Sequence, residues 1–517
     1  MNKKFYSVLL GGLALVMASC SNDEPTKGEN QDNVNGDKYM AFSITNLNNG
    51  SRADDYEPAA GTEGDISKDN LYFLFFDRLD NAFLLEGRSV NGTAVNTNMV
   101  KPENISWEKD QTGNETLSGT LVLGKPAAPF LGQTPAKVLC VANSSTEVMS
   151  NLGGQNLAKV LATVTSAPDF SKGVFLMTNA TYVKGNVVTI ATSTDGCIKS
   201  TVTEAEKNPV TINLERVAAK VRATYQSDYV VTNNSTTPNT TTFEINGVQT
   251  ELHAQIQGWR LMNYATKAYG FKQLSASYDF ITGWNWNDET NARSYWANSL
   301  ADNAPSHLTY NLEDAEQFDL KAFDAANGTA NIAYCYENTQ HYTSAVTDRN
   351  AGAIAIAVKV ALGTKAEGGE FTPIDMVKFA GKLYTTAHFK QMVTDQFKSG
   401  NPDATVNSVE FVVDDASKNT YKAMVKYNTN QDGDMTHIYN NFLWWKNGVT
   451  SYWINIKHFG DLTGVVRNHI YDYTVTDIYG LGIPGNNPDT PEEKESYMAA
   501  ALRVLNWRVV SNNVILQ

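Results

Sequence analysis

The sequence predicts a mostly β protein whose simplest architecture is two β-sandwich domains with a few short helices. Three observations carry that expectation. Tyr, Phe, Thr and Val gather in short segments bounded by Asn, Asp, Gly and Ser, with 24 Tyr, 21 Phe and 36 Gly among 517 residues, so β formers alternate with turn formers. Many of these segments alternate apolar and polar residues with period two. No fixed-period repeat of the solenoid or propeller kind runs through them. The length suffices for two or three domains with cores of their own. A hydrophobic content of 42% with 19% charged residues excludes wholesale disorder and coiled coil. The 41 Lys and Arg against 55 Asp and Glu give a net charge of −14, with no basic concentration to neutralise phosphates, so nucleic acid is excluded as a partner class.

The first residues form an address. Lys3 and Lys4 precede an apolar stretch over 5–16, and Met17, Ala18 and Ser19 lead to Cys20, an export signal too short to span a bilayer. It resembles a bacterial lipoprotein signal, with Cys20 as the lipidated first residue, although Met17 stands where such signals carry Leu. The alternative is an ordinary thiol beside a cleaved secretory signal. The acidic run at 21–24 looks like the surface-export tag of Bacteroidales lipoproteins. Residues 21–37 have the polar composition of a tether. At 38–45 Met40, Phe42 and Ile44 alternate with Ala41, Ser43 and Thr45, a half-buried strand. Residues 46–55 are polar and contain the single basic residue Arg52.

Strands of a first domain are expected at 71–77, 120–123, 136–142 and 173–177, with a short helix at 156–162. Residues 211–225 admit two readings, and strand is favoured because Val221, Ala223 and Tyr225 continue the alternation. A second domain takes strands at 243–245, 251–259, 332–336, 353–360, 408–413, 422–427, 452–456 and 468–475, with helices at 313–325 and 387–397 in crossovers. The stretch 353–362 contains Lys359 and reads as a buried strand. Residues 482–491, punctuated by Pro484, Gly485, Pro488 and Pro491, form a long loop. After it 503–510 alternates, with Leu505, Trp507 and Val509 on one face.

Candidate chemistry is sparse. The seven histidines (253, 307, 341, 388, 437, 458 and 469) contain no HxxxH or HxH pair, and no nucleophile elbow, P-loop or dinucleotide fingerprint is present, so neither catalytic residues nor metal ligands nor a cofactor are assigned and an enzyme is not expected. Asn428, Asn430, Asp432 and Gly433 imitate a calcium loop, but Tyr439 stands where a bidentate Glu belongs, and a hairpin turn is the better reading. Beyond Cys20, the odd set Cys140, Cys197 and Cys335 permits one bridge at most, and Cys140 and Cys335 read as buried small hydrophobes. Trp444, Trp445, Tyr452 and Trp453 suit a sugar-stacking surface or, without companion acidic and amide groups, core packing.

The runs 452–458, 464–471 and 478–484, supported by 214–220, 334–339 and 504–509, resemble the fimbrillins of the Bacteroidales, most of all the shaft subunit of the short, Mfa-type fimbriae; 467–471 is the most specific piece. The resemblance implies two transthyretin-like sandwiches and a polymerising pilin: a signal peptide at 1–19, a propeptide at 20–52, an N-terminal sandwich at 53–207 and a C-terminal sandwich at 208–517. It implies a lipid anchor on Cys20 in an outer-membrane precursor, cutting by a trypsin-like protease between Arg52 and Ala53, and a fimbrium on the cell surface that binds host or bacterial ligands. A sandwich deprived of one strand exposes unpaired backbone groups beside an apolar core. Residues 38–47 are therefore expected to be a placeholder strand (Met40, Phe42, Ile44) and 503–510 a donor strand (Leu505, Trp507, Val509) for the next subunit. The alternatives are that Arg52 is a plain surface charge, that 503–510 is the last strand of its own sandwich, that the protein is a surface glycan-binding lipoprotein, or that it is a fimbrial tip or anchor subunit.

Overall fold

A computed structural model describes residues 38–45, 56–58, 66–90, 93–102, 104–109, 115–166, 175–180, 182–184, 187–233, 238–265, 267–273, 298–300, 332–339, 354–366, 368–415, 420–428, 434–459, 462–484 and 497–508. Strands dominate, as expected, and fall into three large sheets among these residues. Cys20, Arg52, Ala53 and Val509, the helix expected at 313–325 and most of the 482–491 loop lie outside the described residues.

The first sandwich is a nine-stranded arrangement folded around Phe42, Phe73, Phe75, Leu117, Leu121, Val138 and Ile212. Its first strand, β1 (Lys38–Thr45), has the bounds that the alternation sets. The strand Val210–Arg216 turns the corner between the two layers. Its first half runs parallel to β1, from Phe42↔Val210 to Thr45↔Asn213, and its second half pairs antiparallel with Met177–Asn179. Residues 211–225 are strand, as favoured, but in two pieces, because the chain leaves the first sheet at Val217 and Ala218 and resumes as Ala219–Thr224 in the second. Val210, Ile212 and Leu214 fill the first core while Ala219, Val221 and Ala223 fill the second. The change of sandwich therefore falls near 217, later than the expected 207/208 division.

The second sandwich centres on Ala355–Lys365, paired on one edge with His253–Met262 and on the other with Val449–Asn455. This strand is buried over most of its length, which is why it reads as a continuous apolar run rather than as an alternation. Trp259, Trp445, Tyr452 and Tyr471 are fully enclosed in its core. His469–Tyr479 lies between Ala219–Thr224, parallel to it, and Tyr497–Arg508, antiparallel to it.

A third layer extends the second domain beyond a plain sandwich. A seven-stranded sheet carries the helix Thr386–Gly400 over an aromatic core of Phe389, Phe397, Phe442 and Val425. Phe389, Val393 and Phe397 recur every four residues and form one buried stripe. Thr385 caps the start, its hydroxyl accepting from the His388 N–H at 3.3 Å, and the Asn401 amide donates to the Phe397 carbonyl at 3.0 Å as the helix ends. The sequence places this helix in a crossover, and it does join Lys382–Thr385 to Thr405–Asp415, strands of one sheet with three others between them; with 15 residues it also packs as a layer of its own. The shorter helix at 156–162 forms as Leu157–Leu161, with the Asn156 side chain accepting from the Lys159 N–H.

Candidate functional site

β1 occupies an inner position of its sheet, with Val210–Arg216 on one edge and Glu115–Gly124 on the other. Met40, Phe42 and Ile44 are 0%, 1% and 5% exposed, and the Phe42 ring stands 4.6 Å from that of Phe73. Phe42 faces Gly119 across the sheet. A Cβ at Gly119 would collide with the Asn104 carbonyl oxygen and come within 2.8 Å of the Phe42 ring, so only glycine lets the edge strand and the ring approach together. Tyr39 exchanges both backbone hydrogen bonds with Lys199 at 2.9 Å. Its other face, with Ala41 and Ser43, borders an open cavity of about 770 Å³.

Among the described residues, backbone hydrogen bonds and apolar contact hold this strand in place. Burial of its three large side chains is worth about 1.5–3 kcal/mol each as an upper estimate. Its departure would strip one edge from each of two neighbours and uncover the Phe73 ring.

The chain reappears in the other domain, as β2 (Tyr56–Pro58). β2 runs parallel to the end of the C-terminal strand, with Tyr56↔Asn506, Glu57↔Trp507 and Pro58↔Arg508. The sequence division assigns β2 to the first domain, whereas its pairing is with the second. The strand with Leu505 and Trp507, Tyr497–Arg508, lies at home: its inner edge pairs with His469–Tyr479 from Asn506↔His469 to Tyr497↔Tyr479. Ile483 and Pro484 pair with Ser451 and Thr450, which fixes the start of the loop before it.

The three sequence runs 214–220, 334–339 and 467–471 converge between the sandwiches. Arg467 is fully buried and Glu337 nearly so. The guanidinium donates to Glu337 Oε2 from Nε at 2.8 Å and from Nη2 at 2.6 Å, while Nη1 donates to the Gly270 carbonyl at 3.1 Å and Nη2 also to the Tyr269 carbonyl at 2.7 Å. Tyr269 belongs to a strap, Lys267–Tyr269, which crosses to the first domain and pairs with Val164–Ser166. The Gly270 N–H donates to the Thr163 carbonyl at 2.7 Å, and the Thr178 hydroxyl donates to the Gly270 carbonyl at 2.9 Å. Beside it Lys272 meets Glu215 at 2.9 Å with both side chains wholly buried, and the Arg216 N–H donates to Asn468 Oδ1 at 3.3 Å. Ala265, Ala268, Phe271 and Tyr336 join Leu139, Leu157 and Val160 in one apolar cluster around this joint.

Sequence reasoning found the runs but missed their pairing. Charged residues ordinarily read as surface, and only the placement of Glu337 and Arg467 in short apolar-flanked runs hints at burial. The aromatic residues 444, 445, 452 and 453 divide among three packing clusters. Trp445 donates to the Leu481 carbonyl at 3.0 Å and Trp444 to Asp375 at 2.6 Å, so they pack and do not form one stacking platform. Cys140 and Cys335 are buried free thiols. Among the described residues no cluster of His, Cys, Asp and Glu could hold a metal ion, and no helix is long and apolar enough to cross a membrane.

Residues 444–513 match the family described as major fimbrial subunit protein type IV, fimbrillin, C-terminal. No curated protein matches the chain. Solved structures that align with it include a fimbrilin of Porphyromonas gingivalis W83, at 13% identity over 92% of this chain and 98% of that one with a TM-score of 0.39. A fimbrial assembly protein of Parabacteroides distasonis ATCC 8503 aligns at 12% identity over 77% and 98%, with a TM-score of 0.30. The tip fimbrial protein Mfa3 of Porphyromonas gingivalis, truncated at its C-terminus, aligns at 11% identity over 91% and 100%, with a TM-score of 0.31.

Removing one partner of the buried pair leaves the other charge without compensation. Glu337→Leu or Arg467→Met alone should cost about 3–5 kcal/mol, and the double variant much less than the sum; denaturant titration of the four proteins gives the cycle, and additive losses would contradict a coupled pair. The joint should also be alkali-sensitive. Burial pushes the Cys335 thiol up to about 12 and the Tyr336 phenol up to about 12, and raises Tyr471 as well. The unfolded thiol gives up its proton near pH 9, whereas the folded one keeps it to about 12. Stability is therefore intact below about pH 9 and falls as pH rises towards 12, by about 1.4 kcal/mol per pH unit for each fully shifted group. Denaturation midpoints that stay level from pH 9 to 11.5 would contradict this.

Proposed function

On the premise that this chain carries the C-terminal segment of a fimbrillin over residues 444–513, we propose that it is a structural subunit of a cell-surface fimbrium that supports adhesion. The precursor is exported as an outer-membrane lipoprotein on Cys20, and a trypsin-like protease cuts between Arg52 and Ala53. β1 then leaves, and the C-terminal strand of a second copy, with Leu505, Trp507 and Val509 facing inward, takes its place. The polymer is the shaft of a short, Mfa-type fimbrium, joined by other fimbrial subunits. This is a binding function, not an enzymatic one.

The observation that carries the reading is the position of β1. A segment on the N-terminal side of the cut supplies an inner strand and three core side chains to a domain that otherwise lies on the C-terminal side of it. An ordinary surface lipoprotein has no use for a detachable inner strand, which disfavours the glycan-binding alternative. The donor assignment draws its support from pattern: Met40, Phe42 and Ile44 place an aromatic residue between two aliphatic ones, and so do Leu505, Trp507 and Val509. Because Trp507 is central, it meets the place of Phe42 whichever way the entering strand runs. Main-chain pairing would supply much of the affinity and the aromatic anchor the register.

Arg52→Ala should trap the lipidated precursor on the cell and abolish filaments, as judged by N-terminal sequencing and electron microscopy of sheared surface protein. Filaments whose subunits begin at Cys20 would overturn the cleavage step. Changing Leu505 and Trp507 together to Asp should leave export and cleavage intact while removing filaments; normal filaments from that variant would remove this strand from the mechanism.

A further inference from the structure

We propose that the cavity beside β1 is a receptacle for Arg508 of a second copy of this chain. The inference rests on the strand-exchange reading above and names the contact on the outer face of the exchanged strand. β1 has two unlike faces. Met40, Phe42 and Ile44 fill the first core, whereas the small residues Ala41 and Ser43 border the open cavity of about 770 Å³. That volume falls in the range of sites that enclose a small ligand, about 300–1,000 Å³.

The floor of the cavity is laid in two rows across three strands. Ala41 lies opposite Thr120, which lies opposite Asn104, and Ser43 lies opposite Ser118, which lies opposite Ser106. The Ser106 and Ser118 hydroxyls are 2.9 Å apart. Two carboxylates complete the lining, Asp69 from the turn Lys68–Asn70 and Glu206 from the end of the helix Val202–Glu206. Among the described residues no Lys or Arg lines it. Lys101, which is not part of the lining, donates to the Asp69 backbone carbonyl at 2.8 Å. A lining of hydroxyls, one amide and two carboxylates, with no cation of its own, suits a guanidinium, which has five donors and no acceptor.

The entering strand brings one. Between Leu505, Trp507 and Val509 stand Asn506 and Arg508. With Trp507 in the place of Phe42, the two-residue period puts Asn506 and Arg508 in the places of Ala41 and Ser43, in one order for a parallel entry and in the other for an antiparallel one. Both places border the cavity, so Arg508 stands over it in either direction. A side chain of that length reaches its direct cross-strand neighbour, about 4.5–5.5 Å away, and the diagonal ones at about 7–8 Å. β1 fills the inner face alone and leaves the cavity open, whereas the second copy's strand fills both faces. The contact also selects the occupant, because an acidic residue in the same place would meet two like charges.

Charge exchange in the full chain, with filaments counted by electron microscopy of the sheared surface fraction, tests the receptacle. Arg508→Glu should lower the filament yield at least tenfold, and so should Asp69→Lys together with Glu206→Lys. Combining all three changes should bring the yield back to within about twofold of the unchanged chain, a rescue that a mere folding defect in either domain would not show. A chain with Glu206→Cys and Arg508→Cys should give a ladder of disulfide-linked subunits on non-reducing gels. Normal filaments from Arg508→Glu, a triple variant as deficient as its parents, or filaments of the cysteine variant that run only as monomers would overturn the receptacle. Filaments also separate the two readings: if Arg508→Glu assembles normally while the Leu505 and Trp507 aspartate variant does not, the receptacle alone fails, and if the aspartate variant assembles normally, strand exchange itself fails.

Discussion

A guanidinium group taken wholly out of water sets the frame of this molecule. Arg467 in isolation would cost several kcal/mol to bury, so its five hydrogens dictate what surrounds it: a carboxylate from Glu337 and two carbonyls of the strap that crosses to the first domain. Glu215 with Lys272 repeats the device one step away. Apolar contact alone tolerates sliding, whereas a buried charge with fixed donors does not. The two sandwiches are thereby held in one relation, and the positions of β1 in one and of the C-terminal strand in the other are defined with respect to each other.

Much of the strand content was legible because half-buried strands write their burial into alternation. β1 was readable to the residue from Met40, Phe42 and Ile44, and the helix Thr386–Gly400 from the four-residue spacing of Phe389, Val393 and Phe397. The passage at Val217 and Ala218 was not readable, since the chain is buried on both sides of it and the apolar pattern runs on while the sheet changes. The third layer was missed for another reason. Strands at 408–413 and 422–427 were expected, but the sheet that they join depends on partners such as Met376–Phe379 and Asp434–Trp445, which local pattern does not encode.

The site was legible in part. The sequence marked 38–45 and 503–510 as alternating strands and the runs 214–220, 334–339 and 467–471 as distinctive. It did not disclose that the runs meet, because Glu215 and Lys272 lie 57 residues apart and Glu337 and Arg467 lie 130 apart. Nor did it disclose β2, whose three residues carry no pattern and are strand only through their pairing with Asn506–Arg508.

The corner strand Val210–Arg216 has a mechanical consequence. Its first half lies parallel to β1, and its last residue, Arg216, is tied to Asn468 next to the Arg467 pair. β1 is therefore bonded over Phe42–Thr45 to a segment that leads by covalent bonds into the joint between the domains. A pull along that strand loads many hydrogen bonds at once in shear, and does not peel them one after another. Part of the load passes into Glu115–Gly124 on the other edge, and part passes through Val210–Arg216 to the buried charges. Resistance to a pull on β1 would thus be set by the ladders on its two edges and by the ion pairs behind 210–216, while the helix-bearing layer at 376–445 shares no strand pair with β1.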